Sequence, residues 1–167
     1  MAVISILGFG DNDLLNKFIK DWNESDKTTQ KKKDIYIDST GGHQSVFNII
    51  KSMISSCPDK YTLTAVGEIH SAAFELFYSV RCKRVIYPYS FGMYHFGYDD
   101  ITIDEKGKAK EDYGKARMDN LKLMKGFTLN FCKSIGMNQK EIREISNGKD
   151  VYFQQDRLSH FLRTTKV

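Results

Sequence analysis

Three short stretches hold residue types that together can do acyl transfer. Ser39-Thr40-Gly41-Gly42 ends in a glycine pair, which can present bare backbone N–H groups to a developing oxyanion. Ser71 follows an apolar, β-branched run inside Gly67-Glu68-Ile69-His70-Ser71-Ala72-Ala73, so its hydroxyl falls at a strand-to-helix bend. His95 lies in Phe91-Gly92-Met93-Tyr94-His95-Phe96, a later strand, and an imidazole there can take the serine proton near neutral pH. Each part has a plainer use. Ser71 can simply cap a helix. A histidine between Tyr94 and Phe96 can be a satisfied core or interface residue. Gly41-Gly42 before a helix can cradle a phosphate, although no Gly-x-x-x-x-Gly-Lys-Ser/Thr pattern is present. His70 adjoins Ser71, but neighbours at a strand end point in different directions, so it is not the expected partner. His43 and His160 have no evident partner. Cys57 precedes Pro58 at a helix end and reads as a plain thiol more readily than as a nucleophile.

These residues need elements to carry them. Residues 2–9 (AVISILGF) predict a first strand. Asp11-Asn12-Asp13 then offers helix caps, and Leu14, Leu15, Phe18, Ile19 and Trp22 recur at helical spacing. Residues 23–33 are polar and predict a loop, followed by a strand over 34–38. That is a β-α-β unit, so the two strands are expected to be parallel. Val46, Phe47, Ile49, Ile50, Met53 and Ile54 fit a helix that Pro58 stops. A strand is predicted over 61–66, a buried helix over 71–80, and short strands over 84–87 and 91–96. Residues 99–110 predict a small hairpin or flap. A long helix over 112–135 follows, ended by Gly136, then a short helix over 138–145, an Asn147-Gly148 turn, an apolar stretch over 151–153 and an amphipathic helical tail. Alternation of strand, turn and helix makes this an α/β chain.

Composition narrows the function classes. At 167 residues the chain can bury one sizeable core, and 41% hydrophobic with 28% charged residues is ordinary for a globular protein. No apolar run is long enough for a membrane span. The apolar start lacks a basic n-region and a small-residue cleavage site, which argues against a signal peptide. Three cysteines without metal spacing suit free thiols in a reducing cytoplasm. The net charge of +4 is modest, and Lys31-Lys32-Lys33 without interleaved aromatics reads as a solvated loop, not a nucleic-acid patch.

Taken in order, the pieces resemble the proteolytic subunit of the Clp protease, and especially its short phage-encoded relatives. Asp34 to Met53 (DIYIDSTGGHQSVFNIIKSM) resembles the family's strand, Ser-Pro-Gly-Gly turn and following helix, with Thr40 where proline is usual. Thr64 to Phe74 (TAVGEIHSAAF) resembles its Gly-x-x-x-Ser-Met-Gly/Ala segment, with Ala72 in place of methionine. Arg84 to His95 (RVIYPYSFGMYH) resembles its Arg-x-x-x-Pro-x-Ser-x-x-Met-x-His segment, and Gly136 to Ile145 (GMNQKEIREI) resembles the region after its long helix.

The resemblance implies a spiral α/β fold of repeated ββα units in a single domain over 1–167. A head over about 1–98 and 147–167 would carry a handle over about 99–146 that joins rings of subunits. It implies a serine endopeptidase with Ser71 as nucleophile, His95 as general base, and the N–H groups of Gly42 and Ala72 as the oxyanion hole. An ungapped match puts Ile145 where the family has its aspartate, which leaves Asp150 as the expected third residue, with Glu144 and Asn147 as alternatives. No metal or organic cofactor is implied. The implied partners are protein or peptide substrates, copies of the chain in a homo-oligomeric ring, and an ATP-driven unfoldase. The axial loop that docks such an unfoldase is not recognisable before the first strand, nor is the family's closing strand after Phe153. Two other readings are a catalytically silent structural subunit and an acyl-CoA enzyme of the enoyl-CoA hydratase type, which shares this fold.

Overall fold

The computed structural model of the chain describes residues 4–8, 12–27, 33–96 and 112–165, with backbone alone for 12 and 112–121. The expected flap over 99–110 lies outside the described residues.

Apolar β-branched runs become a six-stranded mixed sheet. Its strands are β1 (Ile4–Ile6), β2 (Lys33–Ser39), β3 (Tyr61–His70), β4 (Lys83–Ile86), β5 (Phe91–Tyr94) and β6 (Val151–Phe153). The order is β1-β2-β3-β5-β6, with β4 also paired to β3. All pairings are parallel except β5 with β6. The intervening helices are α1 (Asn12–Asp26), α2 (Gln44–Ser55), α3 (Ala72–Ser79), α4 (Asp112–Ser134), α5 (Gln139–Ser146) and α6 (Gln155–Thr164). The strand-helix-strand crossovers of α1 and α2 account for the parallel ladders, as the sequence predicts.

β3 organises the molecule because it serves two sets of neighbours. Its first half pairs with β2 and β4, and its last three residues pair with β5. Between the halves the β2 register shifts, from Ile37 opposite Ala65 to Ser39 opposite Ile69. The extra β3 residues form a bulge around Gly67, filled by the Asp38 side chain. Its carboxylate accepts the Glu68 N–H at 2.8 Å. A Cβ on Gly67 would collide with that carboxylate. The sequence predicts a strand that stops at Val66. It instead bends at Gly67 and runs on to His70, since glycine inside a strand marks a bulge as readily as an end.

Lys33 departs from the sequence expectation too. It does not belong to a solvated loop but opens β2, 4% exposed, with its ammonium donating to the Ser25 carbonyl. Asp26, 3.6 Å away, supplies the opposite charge that makes such burial tolerable.

The core is one continuous cluster. It contains Ile4, Ile6, Ile35, Ile37, Leu63 and Ile69 from the sheet, and α3 contributes Phe74, Leu76, Phe77 and Tyr78. Phe74 stacks with Tyr94 at 5.3 Å and Phe153 at 5.4 Å, so α3 is clamped beneath β5 and β6. Gly92 permits this contact, because a Cβ there would fall 2.9 Å from the Phe74 ring and 2.8 Å from Leu158. Among the described side chains of α4, Cys132 lies in the core with the following Ile135, Leu129 and Phe131 pack against it, and Leu123 and Phe127 are exposed.

α5 is fixed at its N-terminal end. Asn138 and Glu141 form a reciprocal cap, and the Glu141 carboxylate also takes two bonds from the Arg157 guanidinium at 2.7 and 2.8 Å. This pins α5 to α6 and sets where the chain re-enters the sheet at β6.

Candidate active site

Ser71 stands between β3 and α3 at φ 51°, ψ −118°. A non-glycine residue at positive φ carries roughly 1–3 kcal/mol of strain and persists only where its surroundings hold it. Two backbone bonds hold it here: Ser71 N–H donates to Met93 O at 2.8 Å, and Ser71 O accepts from Glu75 N–H at 3.0 Å. The residue occupies the N-cap position of α3, but its side chain makes no capping bond. The hydroxyl instead meets His95 Nε2 at 2.8 Å. A strained strand-to-helix elbow that projects a serine hydroxyl is the geometry a nucleophile needs.

His95 lies one residue past β5, not within a strand as expected. The ladder still determines its neighbour. Tyr94 pairs with Val151 and Met93 with Tyr152 in antiparallel register, so the next rung sets His95 opposite Asp150. The Asp150 carboxylate lies 3.4 Å from His95 Nδ1, and its side chain is 49% exposed. With Nε2 accepting from the serine, Nδ1 carries the proton and faces the acid. Ser71, His95 and Asp150 thus form one line across the ends of β3, β5 and β6.

The other positions weighed for the third residue lie on α5 or at its C-cap. Ile145 is fully buried in the core. Asn147 closes α5 as its C-cap, and the Glu144 carbonyl accepts bonds from the Asn147 and Lys149 N–H groups.

The glycine pair packs directly against the serine. Gly41 has φ 93° and Gly42 φ 142°, conformations that side chains rarely adopt. The Ser39 hydroxyl accepts the Gly41 N–H at 3.1 Å and shapes the turn. A Cβ on Gly41 would lie 2.8 Å from His70 O, 2.9 Å from Ser71 Cβ and 3.1 Å from Ala72 N. Ala72 is the first residue of α3, so its N–H has no acceptor within the helix. Exposed Gly42 therefore follows a turn pressed onto the positive end of α3.

The remaining histidines and Cys57 lie apart from this line. His70 turns its Nδ1 to Glu68 at 3.6 Å and its ring edge to Phe91 and Tyr152. His43 is the exposed N-cap of α2, and His160 sits on α6 beside Phe161. Cys57 lies past the C-terminal end of α2, the end away from the glycine pair. Among the described residues no cluster of three or more His, Cys, Asp or Glu could hold a metal, and no helix is long and apolar enough to cross a membrane.

With this geometry in view, many solved structures are found to be similar to the chain. The chain is similar to a point mutant of ClpP1 from Listeria monocytogenes, with a TM-score of 0.71 over 96% of this chain and 86% of that one. The fold is ClpP-like. Sequence identity across the match is 15%, so the likeness carries the α/β architecture and not the activity. No protein-family model matches the chain. No curated protein sequence matches it either. Within this ClpP-like fold, Glu75, one helical turn after Ser71, and Tyr94, next to His95 in the chain, are bonded to each other at 3.1 Å. Sequence reasoning missed both; the signal was a lone acid inside the apolar run SAAFELFYSV.

Proposed function

We propose that the chain is a serine endopeptidase of the Clp proteolytic-subunit type, with Ser71 as nucleophile, His95 as general base and Asp150 as the group that orients the imidazole. The observation that carries this reading is the 2.8 Å contact between Ser71 Oγ and His95 Nε2 at a strained elbow. In the reaction Ser71 Oγ attacks the scissile carbonyl while His95 Nε2 takes the hydroxyl proton. The tetrahedral oxyanion sits at the N–H groups of Gly42 and Ala72. Collapse breaks the C–N bond, His95 returns the proton to the amine, and water then hydrolyses the acyl-enzyme by the same proton path.

The ClpP-like fold supports a homo-oligomeric ring as the working form, with α4 as the handle between rings and 1–167 as one domain. Protein or peptide chains are the substrate class, and an unfoldase and a phage source belong to the same proposal. The silent-subunit reading draws on Ile145, a core residue, and gains nothing from the fact that Asp150 stands behind the imidazole.

A fluorophosphonate probe tests the reading. It should label the assembled protein covalently at Ser71 and fail on Ser71→Ala. Absence of labelling in the assembled parent protein overturns it.

A further inference from the structure

Glu75 has no part in the chemistry just described, yet it is the one acid in the first turns of α3, one turn beyond Ser71. Its N–H donates to Ser71 O at 3.0 Å, and its carboxylate accepts the Tyr94 hydroxyl at 3.1 Å. Tyr94 is the last residue of β5 on the ladder and directly precedes His95. Its ring is held by Phe74 at 5.3 Å and by Phe131 of α4 at 5.1 Å.

An ionisable pair in this place is expensive. Burial pushes the Glu75 carboxyl above the usual carboxylate range, against the Tyr94 bond and the Lys51 charge, which pull it down. The titratable groups facing Glu75 are Lys51 from α2, Tyr94 from β5 and Cys132 from α4. Two apolar side chains of the same shape would cost less to bury. Specific geometry is what the pair adds.

We infer that Glu75 and Tyr94 are positioning residues that tie the helix begun by Ser71 to the strand that delivers His95, with α4 joined to the tie through Phe131. The circuit closes on itself. It runs from Ser71 through one helical turn to Glu75, across a hydrogen bond to Tyr94, along one peptide to His95, and back through the 2.8 Å contact. His95 lies beyond the last paired rung, so its backbone takes its direction from Tyr94. A misplacement of about 1 Å at such a pair costs roughly a hundredfold in rate. The kinetic consequence rests on the peptidase reading; the tie itself does not.

Glu75→Gln and Tyr94→Phe keep the volume and cut the bond or its charge. Each should slow fluorophosphonate labelling about tenfold, a decade of that hundredfold. Each should also speed hydrogen exchange at the Ser71 amide, which donates to Met93 O. The melting temperature of Glu75→Gln at neutral pH should equal or exceed that of the parent, because a buried carboxylate is removed. A purely structural role would lower the melting temperature and leave labelling of the folded fraction unchanged. If the parent labels, unchanged labelling in both variants overturns the tie. If the parent does not label, the peptidase reading falls, and the Ser71 exchange rate alone decides: faster exchange upholds the tie and unchanged exchange overturns it.

Discussion

Asp150→Asn measures how much the third residue contributes. Removing the acid of a serine triad can cost about 10⁴ in rate. The geometry here argues for less. The carboxylate is 3.4 Å from Nδ1 and its side chain is 49% exposed, so solvent screens the pair. At that distance unit charges attract by about 1.2 kcal/mol in bulk water and about 2.4 kcal/mol at an effective dielectric constant near 40. The imidazolium formed during attack loses that amount on substitution, which slows the reaction about tenfold to sixtyfold. The assay is the pseudo-first-order rate of fluorophosphonate labelling of the assembled protein, with peptide hydrolysis in parallel. Glu144→Gln and Asn147→Ala serve as controls and should leave the rate within twofold. A change below twofold for Asp150→Asn, or a larger effect from either control, refutes the assignment. A loss near 10⁴ refutes the screening argument and means the acid is shielded from water in the working assembly.

Further outcomes follow from the same geometry. Gly41→Ala sets a Cβ 2.8 Å from His70 O at φ 93°, and should cost about 1–3 kcal/mol of stability, read by denaturant unfolding, and abolish labelling. Gly67→Ala should cost about 1–3 kcal/mol through its collision with Asp38, and Asp38→Ala in the same chain should return part of that loss, a coupling visible in a double-mutant cycle. Burial pushes the Cys132 thiol up to about 12, so a thiol reagent at pH 8 should modify Cys132 only after unfolding. Glu75 has a raised folded-state pKa, so it binds its proton more tightly folded than unfolded. Its contribution to stability is full below the ordinary carboxylate range and fades as pH rises through the folded value; Glu75→Gln should flatten that fall in a melting-temperature series against pH.

Much of the site is visible in the sequence because its parts sit where local rules are strong. Gly41-Gly42, Ser71 and His95 each mark the end of an apolar run, and the chain turns there. Asp150 is harder, since the sequence favours it only through the resemblance and keeps Glu144 and Asn147 as alternatives, while the β5–β6 ladder sets Asp150 opposite the imidazole. Gly67 is misleading because a bulge and a strand end use the same residue. Lys33 is misread because its neighbours in sequence are lysines, while its neighbours in space are Ser25 and Asp26. Glu75 passes unnoticed among phenylalanines, as its partner Tyr94 comes from another strand.

The antiparallel pairing of β5 with β6 separates two things that usually vary together. The link from α5 to β6 can lengthen or shorten by a residue or two without moving the acid, because interstrand registration, not chain length, chooses the occupant opposite His95. A slip by one position would present Lys149 or Val151 instead and extinguish the pair at a stroke. Insertions before Asp150 should therefore be harmless until they disturb that registration, which is how a catalytic acid can drift away from its position in an ungapped alignment while keeping its address in space.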